Sequence, residues 1–336
     1  MIRELMAANE AKGVSVGVVG EILVDEYVQG EVSRLCPEAD GVPIFHEHEA
    51  IRLPGGAGNA ARQLAHWNAD VALFGLVDDL GLDAIEDSGL CASRSVWTGR
   101  CTCPRKRRLM AGDRLLLRHD VEVPGYGLSD CDLRNVREAI LGDLVEALPG
   151  LDAVLVSDYG KGLLDNWLLQ QIFQRCREAG TPTVVDPHVS RPPAAYVGCT
   201  LFKANLAYVQ ARGWPLDVGD HAVATAGAGR TGGRVGSTQF LLRIRPPVAA
   251  RFVVGAGDCF AAHLALCLAH GLTVDTAAEI SDLAARAYVT RPMGEPVLPC
   301  EVLAGHDPIG AKILYEGAVA QALQARHRGR RVVLAN

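Results

Sequence analysis

The sequence predicts an α/β fold: a central, mostly parallel sheet flanked by helices, with a small β-stranded lid. Three observations predict the layered core and the lid. Short apolar runs alternate with longer amphipathic stretches through most of the 336 residues, the pattern of strands covered on both faces by helices. Two stretches, 27–53 and 95–122, break that alternation; residues such as Leu115, Leu117 and His119 alternate as in exposed or half-buried β structure. No shift in composition divides the chain into two independent domains.

Taken in order, the first core strand is expected at 15–19, and it ends at Gly20 and Glu21. Asp25 follows, an acid on the side of the sheet where open α/β folds bind ligands. Further strands are expected at 71–76, 153–156, 183–185, 200–202 and 222–225, and helices at 58–67, 131–147, 164–178, 258–270, 276–288 and 309–326. The segment 226–236, rich in Gly and Arg, reads as a mobile loop. The first thirteen residues mix acids and bases ahead of a short apolar run, which is neither a signal peptide nor a membrane span.

Composition narrows the function. With 49% hydrophobic and 21% charged residues the chain reads as a globular protein, and a formal net charge of -6 argues against broad binding to nucleic acid or anionic lipid. A small-molecule partner is expected. The ten cysteines are scattered, and Cys101-Thr102-Cys103 lacks zinc or redox spacing. They read as reduced thiols of a cytoplasmic protein.

Two short motifs carry chemistry. Gly255, Ala256, Gly257 and Asp258 open an apolar helical pattern, and a glycine turn at a helix start aims unpaired N–H groups at an anion. Asp258 fits as a base that takes a proton from a hydroxyl while those groups hold a transferring phosphoryl. The same tetrapeptide also fits an ordinary turn with an acidic cap. Upstream, Pro54, Gly55, Gly56, Ala57, Gly58 and Asn59 lead into a helix that carries Arg62 and Gln63; the glycines admit a ligand to the backbone and Asn59 offers donor and acceptor to a polyol. A loop with an Asn cap is the alternative.

These pieces, in this order, resemble the ribokinase (PfkB) family of carbohydrate kinases. Gly55, Gly56 and Asn59 match its first signature, and Gly255, Ala256, Gly257 and Asp258 its anion hole and catalytic base. Ser33 to Ala39, Lys106 with Arg108, Arg118 with Asp120, the run Ser157, Asp158, Tyr159, Gly160, Lys161, Gly162, and Asp186 with Pro187 look like the heptose 7-phosphate kinase branch. The resemblance covers nearly the whole chain. It implies transfer of a phosphoryl group from ATP, with Mg2+, to the anomeric hydroxyl of a heptose 7-phosphate, giving the 1,7-bisphosphate. Asp25, Gly55, Gly56, Asn59 and Asp158 would bind the sugar, with Lys106, Arg108, Arg118 and Lys161 as cationic anchors for its phosphate. Asn205, Thr225 and Gly227 would line the nucleotide groove. The metal ligands are unassigned, and a homodimer through the lid is implied. On this reading residues 1–327 form the kinase domain, and 328–336 resemble the opening of a nucleotidyltransferase domain.

Departures from the family pattern cluster on the nucleotide side. Tyr208 stands where an Asn-x-x-Glu motif has Glu, the helix after it shrinks to 209–218, and Thr225, Ala226 and Gly227 represent a Thr-x-Gly loop only loosely. Phe252 and Val253 replace Asp-Thr, and His188 follows Asp-Pro in place of Lys or Asn. A non-catalytic sugar-phosphate binder of the same fold, or a kinase for another sugar phosphate or a nucleoside, are the competing readings.

Overall fold

Strand, turn and helix signals place the chain in two sheets. The computed structural model describes Leu5 and residues 13–90, 96–212, 218–226, 231–242, 245–292, 294–299 and 301–302. The helix expected at 309–326 and the tail at 328–336 lie outside the described residues.

In chain order the elements are β1 (Ser15–Gly20), β2 (Ile22–Leu35), β3 (Pro43–Gly56), α1 (Ala57–Ala65), β4 (Asp70–Val77), α2 (Asp79–Asp87), β5 (Val96–Thr98), β6 (Arg105–Ala111) and β7 (Arg114–Val121). There follow α3 (Asp130–Ala147), β8 (Ala153–Ser157), α4 (Asn166–Ala179), β9 (Thr183–Asp186), β10 (Cys199–Asn205), α5 (Leu206–Arg212), β11 (Gly219–Thr225), β12 (Gly232–Val235), β13 (Thr238–Leu241), α6 (Ala256–Ala269) and α7 (Val274–Tyr288). Among the described residues the main sheet runs β13-β12-β11-β10-β9-β8-β1-β4-β5, parallel from β5 to β11 and antiparallel in its last two pairs. A second sheet, β3-β2-β6-β7, is the lid.

Alternate strand residues feed two cores. Val16, Val18, Leu155, Val184 and Leu201 join α1, α6 and α7 on one face, while Val19, Val154, Val156, Val185 and Phe202 join α3 and α4 on the other. That two-sided burial is why the strands read as unbroken apolar runs. Local signals fix the helix ends. Asp78, Ser129 and Asp165 cap α2, α3 and α4 by accepting from the backbone N–H three residues on, and Gly180 closes α4 at a φ of 75°.

Several boundaries differ from expectation. The lid strands begin earlier, because β2 starts right after Glu21 and β3 runs on through the Gly-Gly loop to Gly56. Residues 96–98 pair with β4 in the main sheet rather than with the lid. Within 226–236, Gly232–Val235 is a strand; its glycines let it lie close to its neighbours, since a Cβ at Gly233 would stand 2.4 Å from the Ala222 carbonyl oxygen. The helix after Asn205 begins at Leu206, three residues earlier than expected, and is described as far as Arg212. α2 was not anticipated, although its Asp78 cap was in plain view.

Candidate active site

The two glycine motifs, nearly 200 residues apart in sequence, meet at one carboxylate. Gly255 adopts a left-handed φ of 86° and α6 begins directly after it, so the first-turn N–H groups lack helical partners. Nothing larger than glycine fits there: a Cβ would stand 2.4 Å from Asn59 Nδ2 and 2.5 Å from the Tyr288 hydroxyl. Tyr288, at the end of α7, donates to the Val254 carbonyl at 2.8 Å and props the turn from behind.

Asp258 is buried in the first turn of α6. Its Oδ2 accepts from Asn59 Nδ2 at 2.9 Å, and its Oδ1 accepts from the Tyr159 hydroxyl. Asn59 therefore lies inside α1 and is not its cap; Gly56 caps the helix, at a φ of 58°. Gln63, one turn on, donates to Asn59 Oδ1 at 3.5 Å and accepts from the Val297 N–H at 3.2 Å. Burial pushes the Asp258 carboxyl up to about 6, an effect added to by Asp186 and opposed by Asn59, Tyr159 and Lys203. A carboxylate pushed up to about 6 beside the helix-start N–H groups, of which that of Ala256 is held by the Val253 carbonyl at 3.3 Å, can take a proton from a hydroxyl placed there.

Beneath the turn lies a buried ion pair that the sequence reading missed. Lys203 Nζ, on β10, is 2.8 Å from Asp186 Oδ2 and 3.4 Å from the Gly257 carbonyl. Its signal was a lysine inside an otherwise apolar strand. Glu21, also missed, is fully enclosed; its carboxylate accepts from the Tyr159 N–H at 2.6 Å and the Leu164 N–H at 3.3 Å, which fixes the turn after β8. Burial, then the Asp158 charge, raise Glu21 to about 7.

On the acceptor side, register sets the lid residues. Asp25 pairs with Lys106 and Tyr27 with Arg108 across β2 and β6, while Lys106 and Arg108 face Asp120 and Arg118 on β7, so Asp25, Lys106, Arg108, Arg118 and Asp120 share one face. Gly55 closes against that face: a Cβ on it would stand 2.2 Å from Asp25 Oδ2. Three of the expected anchors already hold an acid. Arg108 donates to Asp25 at 2.7 Å and stacks over Tyr27; Arg118 grips Asp120 with two bonds, at 2.7 and 2.6 Å; Lys161 lies 2.5 Å from Glu122. Lys106 differs. Among the described residues it has no ion-pair partner, its ammonium sits 5.2 Å from the centre of the Tyr159 ring, and burial lowers its pKa.

Asp158 requires a correction. Its side chain is wholly enclosed, accepting from Arg191 Nε and the Tyr196 hydroxyl at 2.7 Å each and from the Gly160 N–H at 2.8 Å. It ties the β8 turn to the segment after β9 and has no face left for a sugar. Arg191 also donates to the Leu164 carbonyl and accepts at its own carbonyl from Tyr208 at 3.0 Å.

Tyr208 accordingly belongs to the core. It is buried against Phe202, the ring centres 5.4 Å apart, so the position that has Glu in the family pattern has become core. Asn205 closes β10 and accepts from the Tyr208 N–H at 2.8 Å; Thr225, its register partner on β11, opens onto a cleft of about 550 Å³ walled by Leu206, Val209, Gly232, Phe240 and Leu241. Gly227 lies outside the described residues. Phe252 packs edge-on to Tyr27, 5.6 Å between centres, and joins the lid to the anion-hole turn. Among the described residues no three His, Cys, Asp or Glu side chains converge as a metal cage. Asp186 and Asp258, the carboxylates beside the turn, are engaged by Lys203, Asn59 and Tyr159.

No protein-family model matches the chain. It is 33% identical over 321 residues to the bifunctional protein HldE of Caulobacter vibrioides, a match covering 87% of this chain and 63% of that protein. Against the bifunctional protein HldE of Azorhizobium caulinodans the identity is 31% over 356 residues, covering 97% and 73%. The chain thus spans 63% of the first relative and 73% of the second. In structure it is similar to Arabidopsis thaliana ribokinase solved with ribose and ATP, with a TM-score of 0.65 over 88% of this chain and 99% of that one at 18% identity.

Proposed function

The chain belongs to the family of the HldE bifunctional proteins and has the ribokinase fold of carbohydrate kinases, and from that premise we propose that it is an ATP-dependent sugar-phosphate kinase. The acceptor is the anomeric hydroxyl of a heptose 7-phosphate and the product its 1,7-bisphosphate. The observation that carries this reading is the junction of the two motifs, Asn59 donating to Asp258 at 2.9 Å beside the helix-start N–H groups of Gly255 to Gly257.

In this reading Asp258 accepts the acceptor's proton, and the anion-hole N–H groups stabilise charge on the phosphoryl in flight. An anomeric hydroxyl is more acidic than an ordinary alcohol, which suits a base poised near neutrality. Asp25, Gly55, Gly56 and Asn59 form the sugar wall, and Lys106, the cation without an acidic partner, anchors the 7-phosphate with Arg108, Arg118 and Lys161 around it. The apolar cleft at Thr225 suits an adenine, with Asn205 at its edge. Mg2+, if bound, would spread charge on the phosphates; its protein ligands are unassigned. Residues 1–327 act as the kinase domain, and the tail 328–336 resembles the start of a nucleotidyltransferase domain. A homodimer through the lid and a cytoplasmic location complete the proposal; no described helix is long and apolar enough to cross a membrane.

The test is ATP-dependent phosphorylation across heptose, hexose and pentose phosphates, with Asp258→Asn as control. Heptose 7-phosphate should give the highest kcat/KM, and Asp258→Asn should lose about 10²- to 10⁴-fold. Sugar-phosphate binding without turnover on any substrate would leave the second reading, a non-catalytic binder, which the burial of Tyr208 in place of an acidic side chain favours.

A further inference from the structure

The two donors on Asp258 are different in kind. Asn59 is an amide fixed within α1 and tied at its own carbonyl to Gln63, so it donates to Oδ2 whatever else is bound. On Oδ1 the donor is a hydroxyl, that of Tyr159. A hydroxyl donating to a carboxylate oxygen is the arrangement an acceptor sugar must itself make before its proton can be taken.

Tyr159 reaches Asp258 from the sugar side. Its ring lies between two walls of the acceptor site: Lys106 of the lid stands 5.2 Å from the ring centre, and a Cβ on Gly56 would stand 3.2 Å from a ring atom. Its backbone is anchored separately, through the N–H bond to Glu21 and the left-handed turn at Gly160, where φ is 65°. The main chain is therefore fixed, and the ring's hydroxyl end is the part that a ligand entering between lid and Gly-Gly loop would meet.

Building on the assignment of Asp258 as the base, we infer that Tyr159 is a positioning residue whose hydroxyl caps Asp258 Oδ1 until an acceptor sugar takes its place. The cap has a chemical purpose. With nucleotide bound and no sugar present, water could act as acceptor: its oxygen would bond to the γ-phosphorus, the bond to the bridging oxygen would break with its electron pair leaving on ADP, and the proton would pass to Asp258, yielding ADP and inorganic phosphate. A phenol on Oδ1 withholds the proton acceptor from that reaction. A sugar that fills the site displaces the phenol, and the same bonds then change with the sugar oxygen in place of water's. Burial holds the Tyr159 phenol well above its ordinary pKa, so it stays a donor throughout the working range.

Tyr159→Phe removes the hydroxyl and keeps the ring that Lys106 and Gly56 pack against. In that variant sugar-independent ATP hydrolysis should rise about tenfold, the scale of one charge-assisted hydrogen bond. The acid limb of the kcat/KM profile for the sugar should also move to higher pH, because an ionised carboxylate has lost a donor. A ring that only fills space would move neither. A second measurement needs no nucleotide: with 3-fluorotyrosine at position 159 in the otherwise native chain, saturating heptose 7-phosphate should shift the ¹⁹F resonance. A resonance unmoved by bound sugar overturns the cap, and this readout decides the matter if Tyr159→Phe does not fold. An Asp258→Asn enzyme with wild-type turnover would instead remove the base itself. An inactive Asp258→Asn beside a Tyr159→Phe with unchanged hydrolysis and pH profile overturns the cap alone.

Discussion

Asp258 and Asp158 are both buried acids near the C-terminal edge of the sheet, yet their surroundings assign them opposite work. Asp258 keeps two donors and is pushed up to about 6 by burial. A raised carboxyl pKa leaves the group protonated, and useless as a base, below that value. The kcat/KM profile should therefore climb through about pH 6 and level off above it; a flat profile between pH 5 and 7 would contradict the assignment. Asp158 is spent on Arg191, Tyr196 and Gly160. Removing one member of a buried charge pair strands the other, so Asp158→Ala should cost about 3–5 kcal/mol in denaturant unfolding. At a temperature where the variant is still folded, the sugar's KM should be unchanged. The sequence alone could not separate these two acids. Asp258 announced itself through glycines at a helix start, whereas Asp158 sat in a family-like run, and its partners Arg191 and Tyr196 are more than 30 residues away. Tyr159, Lys203 and Glu21 were hidden for the same reason: each gains its meaning from a partner on another segment of the chain.

At the scale of elements, local chemistry was legible and edges were not. Core strands and the long helices follow from apolar periodicity, and caps such as Ser129 and Asp165 fix their starts. The hairpin β12–β13 escaped because its glycines look like a loop, and only pairing with β11 makes them a strand. β5 escaped because three residues carry no period. The glycine turn before α6 is the opposite case, a helix start whose glycine the sequence and the geometry both require. Gly255→Ala would force a left-handed φ on a side chain and drive its methyl into Asn59 and Tyr288. The collision displaces the amide that holds Asp258, so turnover should fall about 10²-fold, while thermal unfolding changes far less because α6 is anchored by its buried apolar residues. An active Gly255→Ala enzyme would mean that Asn59 does not position the carboxylate.

For the molecule as a whole, the lid poses the remaining physical problem. One of its faces carries Asp25, Lys106, Arg108 and Arg118, the residues proposed to hold the sugar phosphate, and the strands must stay in register for that face to exist. Several lid residues leave large apolar surface in water, among them Leu35 at 61% exposed, Leu117 at 58%, Leu115 at 49% and Val32 at 40%. A four-stranded sheet projecting from the main body, with leucines on its surface, is stabilised when a second copy covers it, and exposed apolar patches of this kind mark association surfaces. Leu117 neighbours Arg118 on β7 and so points to the opposite side from the cationic face, which lets a partner lid pack there without blocking the site. The proposed dimer should appear in sedimentation at micromolar concentration, and Leu115→Lys with Leu117→Lys should yield a monomer. Because Lys106 and its neighbours are held in place by lid register, the monomer should show a KM for sugar phosphate raised about tenfold, with the KM for ATP nearly constant. A wild-type chain that sediments as a monomer, or a double-lysine variant that stays dimeric, would remove the lid from the association surface and leave its leucines without a partner.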